Sequence, residues 1–205
     1  MIRIIFACAA VAAFTFPASA QPSPATRPVE IPAPTENLVP VAIETSLGRI
    51  VVALDRARAP VTTANFLKYV DLKRYDGQTF YRAMKIGDGG LIQGGIRTDA
   101  RKLLPPIAHE PTSQTGIRNV AGAISMANSG SGTARADFFI LAADVPSFDG
   151  TADQPGFAAF GKVVEGMDVV KAILAAPVSA TRGKGVMVGQ MLDPEIRIVK
   201  AERVK

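Results

Sequence analysis

Cysteine is nearly absent from this 205-residue chain, which holds one, Cys8, together with no tryptophan and a single histidine, His109. One cysteine forms no internal disulfide, so the fold must rest on its apolar core. One imidazole excludes a multi-histidine zinc site and leaves a Ser-His-Asp hydrolase a single candidate base. Neither a G-x-S-x-G elbow nor H-E-x-x-H accompanies it, so His109 reads as a loop residue. Beyond the N-terminal segment no apolar run approaches the roughly 20 residues that a membrane helix needs, and no stable membrane association is expected. Lysine and arginine exceed aspartate and glutamate by 23 to 18 but form no dense cluster, so no nucleic-acid partner is expected either. Asp144, Asp149 and Asp153 share one loop without calcium-loop spacing and read as solvated, and neither metal nor cofactor is expected.

What is present begins with a targeting pattern. Arg3, the apolar run from Ile4 to Phe16 and Pro17-Ala18-Ser19-Ala20 have the order of n-region, h-region and A-x-A cleavage site. Residues 1–20 are therefore expected to be a signal peptide, removed with Cys8, leaving a soluble protein in the periplasm. Residues 21–37, with Pro22, Pro24, Pro28, Pro32 and Pro34, read as a proline-rich linker. Residues 38–205 are long enough for one domain with a full core.

Within that domain, Val39, Val41 and Ile43 alternate, as do Ile50, Val52 and Leu54 after the turn at Ser46-Leu47-Gly48. This predicts a hairpin. The stretch from Ala59 to Asp71 switches to helical spacing, with Pro60 in the first turn and a stripe of Val61, Ala64, Leu67 and Val70. A second helix follows Gly166, with Met167, Val170, Ile173 and Leu174 on one side and Pro177 as its stop. Near the C-terminus, Ile196 and Ile198 are expected to point inward. Many short strands and two helices predict a mainly β fold, a closed or nearly closed antiparallel barrel with helices over its ends. The string from Gly156 to Lys162 resembles the start of a phosphate loop, but Val163 follows and its interior is strand-like.

The chemistry concentrates between Phe80 and Ile96. There an arginine sits in an apolar strand-like run, a turn follows at Gly87, Asp88, Gly89 and Gly90, and a second run ends in Gln93-Gly94-Gly95. In a regular pleat Phe80, Arg82 and Met84 share one face. A guanidinium on an apolar floor implies either a structural ion pair or a set of donors offered to a ligand.

Four strings in this order, APVTTANFLKYV, FYRAMKIGDGGLIQGG, AGAISMANSGSGTARADFFI and GFAAFGKVVEGMDVV, resemble the cyclophilin family of peptidyl-prolyl cis-trans isomerases over Val39 to Val199. The resemblance implies a closed eight-stranded antiparallel barrel capped by two helices. It also implies an enzyme that rotates X-Pro bonds, acting as a monomer on proline-containing polypeptides and, here, assisting the folding of exported proteins. Arg82 takes the position of the family's catalytic arginine. Substrate contacts are implied for Phe80, Leu91, Gln93, Met126, Ala127, Asn128, Asp137, Phe139, Phe148 and Phe157. Three departures stand out: a hairpin three residues longer, Gly90 where an aromatic wall residue belongs, and Asp137 in place of glutamine. If Asp137 lies beside Arg82, its carboxylate pairs with the guanidinium. A peptide-binding chaperone of the same fold, with little turnover, is the alternative reading.

Overall fold

The computed structural model describes residues 38–97 and 99–204. The expected signal peptide and linker lie outside these described residues. The domain opens with the hairpin of β1 (Leu38–Thr45) and β2 (Gly48–Asp55), followed by α1 (Pro60–Asp71) and a second hairpin, β3 (Thr79–Ile86) with β4 (Gly89–Gly95). After a long connection come the single turn α2 (Thr112–Thr115), β5 (Ala123–Met126), β6 (Phe138–Leu141), β7 (Ala159–Glu165) and α3 (Met167–Ala175). The two-residue β8 (Val178–Ser179) and the long β9 (Met191–Arg203) complete it.

Eight strands close a barrel in the order β1-β2-β7-β5-β6-β4-β3-β9, with β9 pairing back to β1 and β8 attached outside the ring. Every pairing is antiparallel. Closure leaves no free edge in the ring. The predicted inward residues Val41, Ile43, Ile50, Val52, Leu54 and Ile198 are buried in one interior cluster. Aromatic rings fill its centre: Phe138 meets Phe66 at 5.2 Å, Tyr75 at 5.3 Å and Phe80 at 5.7 Å between ring centroids. Each fully buried ring stabilises the fold by roughly 1.5–3 kcal/mol.

Both predicted helices form and pack on the barrel, α1 on β2 and β9, α3 on β2, β3 and β4. The stripe of α3 is as expected, with Val170, Ile173 and Leu174 buried. That of α1 holds at Leu67 and Val70, which are buried, but not at Val61 and Ala64, which are exposed while Thr62, Thr63, Phe66 and Tyr69 are buried in their place. The threonines can be inside because their hydroxyls are satisfied, Thr62 donating to Glu110 Oε2 at 2.6 Å and Thr63 to Asp55 O at 3.2 Å. Glu110, itself buried, also accepts from the N–H groups of Val61 and Thr62 at 3.0 and 2.8 Å. A carboxylate from the distant loop thus supplies the cap that Ala59 cannot.

Candidate active site

Arg82 reaches the outside of the barrel through a bulge. Phe80 pairs with Gly94 but Arg82 with Gln93, so Tyr81 and Arg82 together stand against one step of β4. The extra residue separates the faces: Phe80 and Ala83 join the interior, whereas Met84 joins a second apolar cluster outside. The expected common face of Phe80, Arg82 and Met84 is corrected accordingly, because one inserted residue inverts the alternation. Phe80 is 0% exposed, packed edge-on to Phe138, and is a core residue rather than a substrate contact. Met126 is corrected in the same way: it pairs with Phe138, shares its inward direction and is 0% exposed.

The outer cluster contains Leu91, Phe139, Leu141 and Val145, with Met84, Ile86, Ala127, Phe148 and Phe157 packed against them. Three rings form its floor, Phe139 lying 5.7 Å from Phe148 and 5.3 Å from Phe157, and the last two 4.9 Å apart. The hairpin turn is shorter than expected, only Gly87-Asp88, and Gly89 and Gly90 already belong to β4. At Gly90, with φ at +147°, a Cβ would run into the Met84 carbonyl oxygen. No side chain can stand there, and Met84 and Ile86 of the same hairpin pack against the outer cluster.

Asn119 holds the floor from behind. It is fully buried, and its Nδ2 donates to the carbonyls of Phe148 at 3.0 Å and Phe157 at 3.3 Å. Its Oδ1 accepts from Ser125 Oγ at 2.7 Å, and its N–H donates to Asp149 Oδ1 at 2.8 Å. Asp149 also accepts from Arg118 Nε at 2.9 Å, and Asp144 accepts from Ala121 N–H at 2.8 Å, so these two aspartates are structural and not simply solvated. Nothing in the spacing of Asn119 marks it in the sequence. His109 is a loop residue as expected, its Nε2 2.9 Å from Pro155 O.

The half-buried Arg82 guanidinium meets neutral partners. Nε donates to Gln190 Oε1 at 2.8 Å, Nη1 to Gln93 Oε1 at 2.9 Å and Nη2 to Met84 Sδ at 3.0 Å. Burial pulls its pKa down from the ordinary value, with Tyr81 acting the other way. Among the described residues no carboxylate forms an ion pair with it, which removes the structural ion-pair reading. The expected pairing with Asp137 is corrected too. Gln93 takes the place beside the guanidinium and passes the contact on, its Nε2 donating to the Tyr81 hydroxyl at 2.7 Å. The bulge brings Tyr81 to that position, where Arg97 lies 4.6 Å above its ring.

Asp137 lies beyond Tyr81, its Oδ1 buried without a hydrogen-bond partner among the described residues. It lines a groove of about 710 Å³ with Tyr81, Gln93, Arg97, Ala127, Asn128 and part of the segment 182–187. Asn128 accepts from Gly130 N–H at 3.0 Å and keeps a buried Nδ2 without a partner among the described residues. Groove and apolar floor adjoin, since Ala127 belongs to both and Arg82 bonds to Gln93 of the groove and to Met84 of the floor.

Burial raises the Asp137 carboxyl to about 6, against the opposing pull of the Tyr81 hydroxyl, Arg97 and the Ile96 N–H. The folded state therefore holds this proton more tightly than the unfolded chain. Its stabilisation is complete below pH 4 and is lost as pH rises through 6. Asp137→Asn should accordingly gain about 2 kcal/mol on the wild type between pH 4 and pH 7.5. Urea unfolding of both proteins at the two values checks this, and a constant difference would show that Asp137 is not desolvated.

A family model described as cyclophilin type peptidyl-prolyl cis-trans isomerase matches residues 40–203. The chain is 39% identical over 149 residues to peptidyl-prolyl cis-trans isomerase cyp18 of Streptomyces antibioticus, covering 70% of this chain and 87% of that protein. It is also 39% identical over 137 residues to peptidyl-prolyl cis-trans isomerase A of Dickeya dadantii, covering 65% and 70%. The fold superimposes on the crystal structure of a cyclophilin type peptidyl-prolyl cis-trans isomerase from Cryptosporidium parvum with a TM-score of 0.66 at 21% identity, covering 82% of this chain and 98% of the other.

Proposed function

Because the chain belongs to the cyclophilin-type peptidyl-prolyl cis-trans isomerases, and so rotates X-Pro peptide bonds, we propose that Arg82 is the residue that acts on the rotating bond. The proline ring rests on the floor of Phe139, Phe148, Phe157 and Leu91, and the neighbouring peptide lies along the groove past Gln93, Ala127, Asn128 and Asp137. The observation that carries this reading is that Arg82 bonds to both halves of the site, to Gln93 of the groove and to Met84 of the floor.

Rotation breaks no covalent bond. It has to overcome roughly 18–20 kcal/mol of amide resonance. As the bond twists, the lone pair localises on the prolyl nitrogen, which becomes an acceptor only then. A guanidinium has five N–H groups, and the three contacts above leave two without an acceptor among the described residues. A donor aimed at that nitrogen stabilises the twisted state selectively, and the dry floor keeps water from screening it. Accelerations of about 10³ to 10⁶ require about 4 to 8 kcal/mol, within reach of one charge-assisted bond plus tighter packing of the twisted form.

The n-region, h-region and A-x-A order of residues 1–20 further supports a mature protein starting at Gln21 in the periplasm, with exported polypeptides as substrates, and we propose that it acts there as a monomer. One preparation tests both parts of the proposal. Protein recovered from the periplasm should have the native mass of one chain beginning at Gln21. Titration with an Ala-Pro peptide should shift the NMR signals of Leu91, Phe139, Phe148, Phe157 and Arg82, whereas Ala-Ala should not. Absence of the protein from the periplasmic fraction sinks the localisation, a mass retaining Met1 sinks the cleavage, and shifts centred elsewhere on the barrel sink the site.

A further inference from the structure

The acceptor at Arg82 Nε comes from far along the chain. Gln190 closes the segment between β8 and β9, and four of its groups are engaged, the first being its N–H, which donates to Met187 O at 3.1 Å. Its carbonyl accepts Ala83 N–H at 2.9 Å, its Oε1 accepts Arg82 Nε–H at 2.8 Å, and its Nε2 donates to Val186 O at 2.7 Å. We infer that Gln190 is a positioning residue for the reaction, fixing the plane of the Arg82 guanidinium and tying it to the conformation of the segment before β9. The inference rests on Arg82 being the residue that acts on the substrate.

Gln93 alone restrains one edge of the guanidinium, at Nη1, and leaves the group free to swing about that bond. A second acceptor at Nε fixes the plane, because the fork of N–H groups is rigid. Nη2 then faces the apolar floor against the softer sulfur of Met84, the weakest of the three partners. The amide of Gln190 cannot be turned over without loss: its nitrogen must meet the Val186 carbonyl, which directs its oxygen at the arginine. A main-chain bond to Ala83 anchors the same residue beside the bulge, so the distance from Gln190 to Arg82 is set by backbone pairing. Val186 belongs to a one-turn helix, Gly185–Met187, and is 83% exposed, while Met187 and Lys184 line the groove. The turn that orients Gln190 therefore stands where an entering polypeptide passes.

Two substitutions separate the contacts. Gln190→Met removes acceptor and donor at similar volume; Gln190→Glu keeps an acceptor for Arg82 and loses the donor toward Val186 O. With an X-Pro peptide, Q190M should lower kcat/KM about tenfold, the loss of one hydrogen bond to a charged group. The loss should lie in kcat, with KM unchanged and the Arg82 Nε–H signal no longer protected from exchange. Q190E should stay within about threefold of wild type. An unchanged Q190M, a loss lying in KM, or an equal fall of both variants with lowered melting temperature would each overturn the inference. Arg82→Ala is measured alongside. If it retains activity, the assignment of Arg82 and this inference fail together; if it is inactive while Q190M is unimpaired, only the inference fails.

Discussion

Replacing Arg82 by alanine is expected to lower kcat/KM for an X-Pro peptide by about 100- to 1,000-fold, the usual consequence of removing a preorganised donor from a reacting centre. Its melting temperature should fall by no more than about 4 °C, equivalent to roughly 1 kcal/mol in a domain of this size. The separation follows from where the side chain lies. Arg82 is only half-buried, holds no ion pair among the described residues, and contacts Gln190, Gln93 and Met84 at the barrel's outer surface. Water can replace it at both glutamine oxygens. Arg82→Lys should recover little, since an ammonium restores charge without the fork that meets two glutamines and still points a donor at the floor. NMR exchange on the peptide, beside calorimetry on the same samples, decides the matter. Parallel loss of activity and stability would show that Arg82 supports the fold and does not serve the reaction directly.

The largest effect on stability is expected at Phe138, next in sequence to a floor residue but on the opposite side of the sheet. Its ring meets Phe66, Tyr75 and Phe80 inside the barrel, at 5.2, 5.3 and 5.7 Å. Phe138→Ala should cost about 3–5 kcal/mol, because the closed ring of strands cannot collapse into the space left behind. A melting temperature lower by about 10 °C would accompany it. Because the ring faces away from Arg82 and the floor, the fraction still folded should turn over substrate normally. Urea unfolding measures the first quantity and low-temperature kinetics the second. A loss under about 1 kcal/mol would mean that the interior rings repack around the gap.

How far the sequence reached depends on the distance over which each feature is decided. Strand alternation is local, so the inward sets of β1, β2 and β9 were legible, as was the stripe of α3. Arg82 and Gln93 could be singled out from a glycine-bounded apolar run and the strings around it. The same reasoning misjudged Phe80, because a bulge is a choice of pairing between strands and leaves no mark in the alternation of one strand. It misjudged Val61 and Ala64 because Thr62 and Thr63 look like surface residues until Glu110 and Asp55 are brought to them.

By itself, then, the sequence determined the kinds and order of elements, the closed β architecture and the family, since these rest on periodicity and on contiguous strings of residues. Tertiary structure alone decided the wiring of the site. Arg82 finds Gln190 across 108 positions, the α1 cap comes from 49 positions away, and Asp137 answers to Tyr81 and Arg97 instead of Arg82. The physical reason is that a hydrogen bond needs its partner within about 3 Å and at a favourable angle. Such proximity between distant segments arises only when the barrel closes and its bulges set which side chains face out together.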